Sequence, residues 1–133
     1  MPYNNLIVKK IGDVCDKAIW ELYEPFEWTN GVIKVIVPAG FQCDFASIPQ
    51  FALGILGDIG QEAGTIHDYL YRSDAEPKLT RSKADYIFFE VCGEMGITWW
   101  KRKAMYYAVR TFAGQHWQKR KVMEPFIQQE VWV

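Results

Sequence analysis

A chain of 133 residues, half of them hydrophobic and 16% aromatic, with a formal net charge of −1, reads as one densely packed domain rather than a disordered segment. A chain this size buries roughly two thirds of the surface its unfolded form exposes, so it needs no disulfide or metal staple. The charge balance gives no general pull toward polyanions, no apolar run approaches the ~20 residues of a membrane-crossing helix, and "MPYNNLIVKKIGD" lacks the basic start and long apolar stretch of a secretory signal.

The first third reads as β. "AIWELYEPFEW" (18–28) carries aromatics and alternation, and "TNGVIKVIVP" (29–38) adds a β-branched run. Together they predict an antiparallel hairpin turning at Asn30-Gly31. Pro25 cannot donate a ladder hydrogen bond, which puts its strand at an edge or on a bulge. Pro38, Gly40 and "PAGFQCDFASIP" end the regular β pattern.

The remainder reads mostly as helix. A short helix is expected near Ser47, with Pro49 in its first turn, where a missing N–H does no harm. A second spans about 61–72, with Ala63, Ile66, His67, Leu70 and Tyr71 on one face. After the loop "SDAEPKLT", Thr80 is the expected N-cap of a third helix reaching about Cys92. That helix buries Ala84, Ile87, Phe88 and Val91 and is broken by Gly93 and Gly96. A fourth runs from Thr98 toward Lys121, loosened at Gly114, and the apolar tail "PFIQQEVWV" is expected to pair with the sheet or dock on the core. The fold class is therefore α+β: a single domain over 1–133, with an N-terminal antiparallel sheet packed by three to four C-terminal helices. Cys15, Cys43 and Cys92 are an odd count without a C-x-x-C spacing, so free thiols in a reducing, cytoplasmic setting are expected.

The residues that could carry chemistry fall in five stretches. In "IHDYLYR", His67 falls on the apolar stripe and Asp68 points about 100° away from it on the helix, yet both are expected to face inward, with Asp68 reaching the "CDFASIP" loop. His67 is either a general base or a histidine making a structural hydrogen bond inside the core. Asp85, bordering the buried stripe of the next helix, can meet His67 and orient its ring. The alternative for Asp85 is a solvated Arg81–Asp85 pair at i, i+4. In "CDFASIP", capping is the favoured reading for Ser47, because Ala46-Ser47-Ile48-Pro49 is no G-x-S-x-G elbow. Asp44 is open between capping and ligating a metal or substrate. Gly54, Gly57 and Gly60 form a loop that matches neither a dinucleotide fingerprint nor a P-loop. Residues 98–121 hold seven Lys/Arg and no acid, leaving eight bases against sixteen acids in the rest of the chain. Trp99, Trp100, Tyr106, Tyr107 and Trp117 interleave with those bases, as on surfaces that stack on nucleic acid. An amphipathic helix with a solvated basic face is the simpler reading.

At "VPAGFQCDFASIP", "IHDYLYR" and "ADYIFFEV…MYYAVRTFAGQHW" the chain resembles the small phage and prophage proteins grouped as domain of unknown function 1353. The likeness covers about residues 35–117. It implies origin as a phage or prophage gene product and carries no activity. Cys43 stands where that family usually has threonine, which argues against a catalytic role there. More locally, H-D-x-x-Y followed by A-D-x-x-F is similar to the catalytic helix pair of phospholipase A2. That likeness implies His67 as the base that activates water, Asp68 as a calcium-ligating carboxylate, Asp85 as the acid orienting the histidine and Tyr71 as a supporting tyrosine. The calcium loop Y-x-G-x-G of that enzyme is missing; only "GILGDIG" or "VPAGF" lie near its place, and Asp68 alone would bind Ca2+ poorly.

Three functions follow in order. The first is a phage- or prophage-encoded accessory or virion-associated protein, in the host cytoplasm or on the virion, that binds a phage or host protein. The second is a small metal-dependent hydrolase acting on lipid or cell envelope during entry or lysis, with His67 and Asp85 catalytic and Asp68 and Asp44 holding the metal. Ser47, Tyr71 and Arg81 would support that site. The third is a nucleic-acid binder using the basic helix.

Overall fold

The computed structural model describes residues 3–14, 17–45, 47–56 and 61–118. It is α+β, as the sequence predicts: among the described residues five short strands come first and five helices follow. The strands are β1 (Val8–Val14), β2 (Lys17–Leu22), β3 (Phe26–Thr29), β4 (Lys34–Val37) and β5 (Gln42–Cys43). The helices are α1 (Gln50–Leu56), α2 (Gln61–Leu70), α3 (Arg81–Glu94), α4 (Trp99–Phe112) and α5 (Gly114–Gln118). The apolar tail, Cys15, Gly57, Gly60 and the expected continuation of the fourth helix to Lys121 lie outside the described residues.

The hairpin forms at the predicted place, with β3 against β4 and Trp28 opposite Val35. Its inner face, Phe26, Trp28, Val35 and Val37, is fully buried, the period-2 alternation of a half-buried strand pair. The turn holds four residues rather than two. Asn30 Oδ1 accepts from the amides of both Val32 (2.9 Å) and Ile33 (2.8 Å), and Gly31 takes a positive φ of 90°.

The strand expected over 18–28 is instead two. The chain leaves one sheet for the other between Leu22 and Phe26. Pro25 sits in that break, and its carbonyl accepts from Asn4 Nδ2 at 3.1 Å. The first half, β2, is the middle strand of an antiparallel sheet ordered β1-β2-β5. Neither β1 nor β5 stands out in the sequence. "VKKIGDV" has no alternation, its register against β2 shifts between Lys10 and Gly12, and it owes its strand form to hydrogen bonds with β2. Only Gln42 and Cys43 pair in β5.

Helix α2 sits between the strands and the other helices, against β4 and β5 on one side and α3 on the other. The sequence predicts one buried face, yet every residue from Ala63 to Leu70 is buried. For this reason His67 and Asp68, though about 100° apart around the helix, are both inside. Gly64 makes a close approach possible, since a Cβ there would lie 2.7 Å from Cδ1 of the Phe45 ring. Phe45 itself has φ 60°, a left-handed conformation that costs a non-glycine residue roughly 1–2 kcal/mol. Its ring against Gly64 pins the loop carrying Ser47 one turn from His67.

The cap of α3 is as expected, with Thr80 Oγ1 accepting from the Lys83 amide at 3.2 Å. The helix runs through Gly93, where the Arg102 guanidinium occupies the space a side chain would need. It ends at Gly96 in a Schellman arrangement, with Ile97 N donating to Cys92 O and Gly96 N to Gly93 O. Helix α4 breaks at Ala113, next to the expected Gly114. No helix among the described residues is long and apolar enough to cross a membrane.

Replacing an interior helical glycine by alanine ordinarily stabilises by about 1 kcal/mol. Gly64→Ala is expected to do the reverse, lowering the urea midpoint by an amount worth about 1 kcal/mol or more, because the methyl displaces the Phe45 ring. A rise in the midpoint would show that the loop is not held this way.

Candidate functional site

Four of the stretches that stood out in the sequence converge on His67. The loop before α1 brings Ser47, α2 brings His67 and Asp68, the turn after it brings Tyr71, α3 brings Arg81 and Asp85, and α4 brings Arg110. His67 is fully buried and held at both ring nitrogens. Nδ1 lies 2.9 Å from Ser47 Oγ and Nε2 lies 2.7 Å from Asp85 Oδ1. The Tyr71 ring packs 4.3 Å from the imidazole and the Phe88 ring 5.0 Å from it, centroid to centroid.

Asp85 is the most heavily partnered group. Besides His67 it accepts from the Tyr71 hydroxyl at 2.6 Å and from Arg110 Nη1 at 2.8 Å. The Arg81–Asp85 pair of the alternative reading is present at 3.8 Å, but the carboxylate has no exposed surface, so it is no solvated pair. Arg81 does more elsewhere. Its Nε donates to the Tyr71 hydroxyl at 3.2 Å, and its Nη2 donates to the carbonyls of Val109 (3.0 Å) and Arg110 (2.7 Å) at the end of α4. Burial pulls the Asp85 carboxyl upward. The His67 hydrogen bond and charge, together with Tyr71 and Arg110, outweigh that and hold it below its ordinary value.

Ser47 lies three residues ahead of α1 and does not cap it through its hydroxyl. That hydroxyl instead joins His67 and Asp68 Oδ1, and its amide donates to the same Asp68 oxygen at 3.3 Å. Burial pushes Asp68 above the usual carboxylate range, against the Ser47 hydrogen bond and with the Asp44 charge adding to the rise. Asp44 is half-buried and acts on this cluster electrostatically. Calcium wants six to eight oxygen ligands. Among the described residues no group of three or more His, Cys, Asp or Glu side chains is placed to hold a metal ion, and the Asp68 oxygen nearest the cluster is occupied by Ser47. Among the described residues the donor set therefore does not make up a calcium centre; residues 57–60 of the "GILGDIG" stretch lie outside them. Cys43 and Cys92 are free and buried, and burial raises both thiols.

Ser47 lines a cleft of about 240 Å³ with Pro49, Phe51, Phe112, Gln115 and His116. Phe51 and Phe112 stand edge to face across it, 5.7 Å between centroids, and both are exposed. Arg110 is the member that sequence reasoning missed; Ser47, expected chiefly as a cap and named in support of the hydrolase site, joins the cluster through its hydroxyl. Arg110 was hidden among seven bases that read as a solvated face. On α4, Arg110 and Arg102 turn inward, and Arg102 lies 5.0 Å over Phe89. Lys103 covers Trp99 at 4.4 Å and Lys101 covers Trp100 at 5.6 Å. Lys119, Arg120 and Lys121 lie outside the described residues.

Asp85 has its carboxyl held low in the fold, so its stabilising contribution is complete above the unfolded value of about 3.9. That contribution is lost as pH falls through the folded value. Asp85→Asn is expected to cost about 3–5 kcal/mol at pH 7 by stranding Arg110 and His67. The gap to the parent should narrow steadily below pH 4. Urea unfolding of both proteins at pH 7 and pH 3 measures it, and a gap independent of pH would contradict an ionised Asp85.

The match to known proteins is to sequence alone, as no solved structure is similar. The chain is 33% identical over 111 residues, 79% of its length, to an uncharacterized protein, y4jT, of Sinorhizobium fredii (strain NBRC 101917 / NGR234). It spans 32% of that relative's length. Residues 20–109 match the family described as "Protein of unknown function (DUF1353)"; they contain every member of the cluster from Ser47 to Asp85 and stop one residue short of Arg110. The chain belongs to the domain of unknown function 1353 family.

Proposed function

We propose that this chain is a small hydrolase of phage or prophage origin, with His67 as the acid–base group, acting on an acyl bond of lipid or cell envelope. One observation carries the reading: His67 is held between the Asp85 carboxylate and the hydroxyl of Ser47, a residue that lines a cleft. With the proton of Nε2 donated to Asp85, Nδ1 presents its lone pair toward Ser47, the side from which a substrate would arrive. A general base must lie within about 2.6–3.2 Å of the proton it takes, and 2.9 Å meets that. The role assigned to Asp85 and Tyr71 by the phospholipase likeness is supported by the two hydrogen bonds to Asp85 Oδ1. The role of Asp68 as metal ligand is not, and the proposed chemistry uses no calcium.

A second reading has its own observation. His67 and Asp85 have no exposed surface, as expected of a polar clamp joining the Ser47 loop to α2, α3 and α4 in an accessory or virion-associated protein that acts by binding. Nucleic-acid binding through α4 has less support, because two of its four described bases turn inward.

The two readings part on His67→Gln, which keeps a hydrogen-bonding side chain at the site. Both expect a stability loss of about 1–3 kcal/mol from a stranded partner. The hydrolase reading also expects the parent to cleave short-chain nitrophenyl esters, and the variant, still folded, to do so about a hundredfold more slowly or worse. A folded parent without esterase or amidase activity above the buffer rate would favour the clamp.

A further inference from the structure

We propose that Ser47 is the nucleophile of this site and forms an acyl-serine intermediate with carboxylic esters bearing a small apolar acyl group. This rests on the hydrolase reading and goes beyond it, since a histidine base can equally activate water. Three observations single out Ser47. Its hydroxyl is the group on His67 Nδ1, at 2.9 Å. It belongs to both the relay and the cleft, whereas His67 and Asp85 are closed off behind it. Its backbone and hydroxyl are both fastened to Asp68 Oδ1, so the nucleophile is fixed in place before any substrate arrives.

Asp68 then has a role the phospholipase likeness does not give it. At rest the Ser47 hydroxyl donates to Asp68 Oδ1, and its proton reaches His67 when the hydroxyl turns toward Nδ1, 2.9 Å away. Asp68 and Asp85 are thus positioning residues on either side of a Ser47–His67 pair. The relay resembles a serine triad with the ring nitrogens exchanged: serine on Nδ1 and carboxylate on Nε2. No G-x-S-x-G elbow surrounds this serine; the left-handed residue Phe45, packed on Gly64, precedes it in the loop instead.

The chemistry balances within these groups. Ser47 Oγ attacks the ester carbonyl carbon as its proton passes to His67 Nδ1. The tetrahedral adduct collapses, the bond from carbon to the alcohol oxygen breaks, and the proton on Nδ1 goes to that oxygen, releasing the alcohol. Water then attacks the acyl-serine and gives a proton to Nδ1. The bond from the acyl carbon to Oγ breaks, the proton returns to Oγ, and the carboxylic acid leaves. The cleft limits the acyl group. Its volume of about 240 Å³ equals roughly eight waters of liquid, and the exposed rings of Phe51 and Phe112 face whatever occupies it.

The test uses the full chain, a fluorophosphonate probe and nitrophenyl acetate and butyrate. A single phosphonyl adduct by intact mass, mapped by peptide sequencing to Ser47, is expected, with ester turnover that Ser47→Ala lowers about a hundredfold or more. Labelling should also slow about tenfold or more in Asp85→Asn, a change that a merely structural carboxylate would not produce in a variant that still folds. Turnover without a Ser47 adduct, and retained within twofold in Ser47→Ala, would overturn the nucleophile while leaving His67 as a base acting on water. Neither adduct nor turnover would overturn both. The adduct map on the parent decides the matter even where a variant fails to fold.

Discussion

The structure depends on one buried ionised carboxylate. Asp85 has no contact with solvent, and a charge in that position is tolerable only if it is paired and hydrogen-bonded on every side. Its partners come from three elements: His67 from α2 and Tyr71 from the turn after it, Arg110 from α4, and Arg81 one turn back on α3. Satisfying Asp85 therefore fixes how the three helices sit on one another. Arg81 extends the constraint by closing the last carbonyls of α4. The apolar core supplies most of the driving force, but apolar contacts tolerate sliding and a charge network of this kind does not.

The same constraint positions the histidine: Asp85 Oδ1 lies on Nε2 and Ser47 Oγ on Nδ1, so both ring nitrogens are engaged and the ring is fixed in orientation. Asp68 on the far side of Ser47 is pushed the opposite way, so the two carboxyls flanking the relay are driven apart in acidity. Such divergence between neighbouring acids is how sites separate the proton donor from the charged stabiliser. Here both effects follow from burial and partner choice alone: Asp85 meets His67, Tyr71 and Arg110, and Asp68 meets a serine and the charge of Asp44.

Much of this was legible in the sequence, and what was hidden has physical causes. The hairpin at Asn30-Gly31, the Thr80 cap and the stripe of Ala84, Ile87, Phe88 and Val91 are local patterns, and local patterns are what periodicity reports. The nearness of His67 and Asp85 was also readable, because both border apolar stripes on successive helices. Strand β1 was not, since "VKKIGDV" becomes a strand only through β2. The full burial of α2 was not, since its outer face is covered by elements far away in sequence. Ser47 read as a cap because its destination depends on where the Phe45 turn lands on Gly64. Arg110 read as surface because nothing in a run of bases says which one turns inward.

The protonation of the His67 ring can be observed directly. The chain has two histidines, so long-range proton–nitrogen correlation spectra of the parent and a His116→Gln variant assign the ring signals of His67 without ambiguity. At pH 7.5, roughly neutral, His67 should carry its proton on Nε2, with Nδ1 showing the shift of an unprotonated nitrogen accepting a hydrogen bond. A His67 protonated on both nitrogens, or on Nδ1 alone, would contradict a base facing Ser47 and leave the ring as a structural link between two acids.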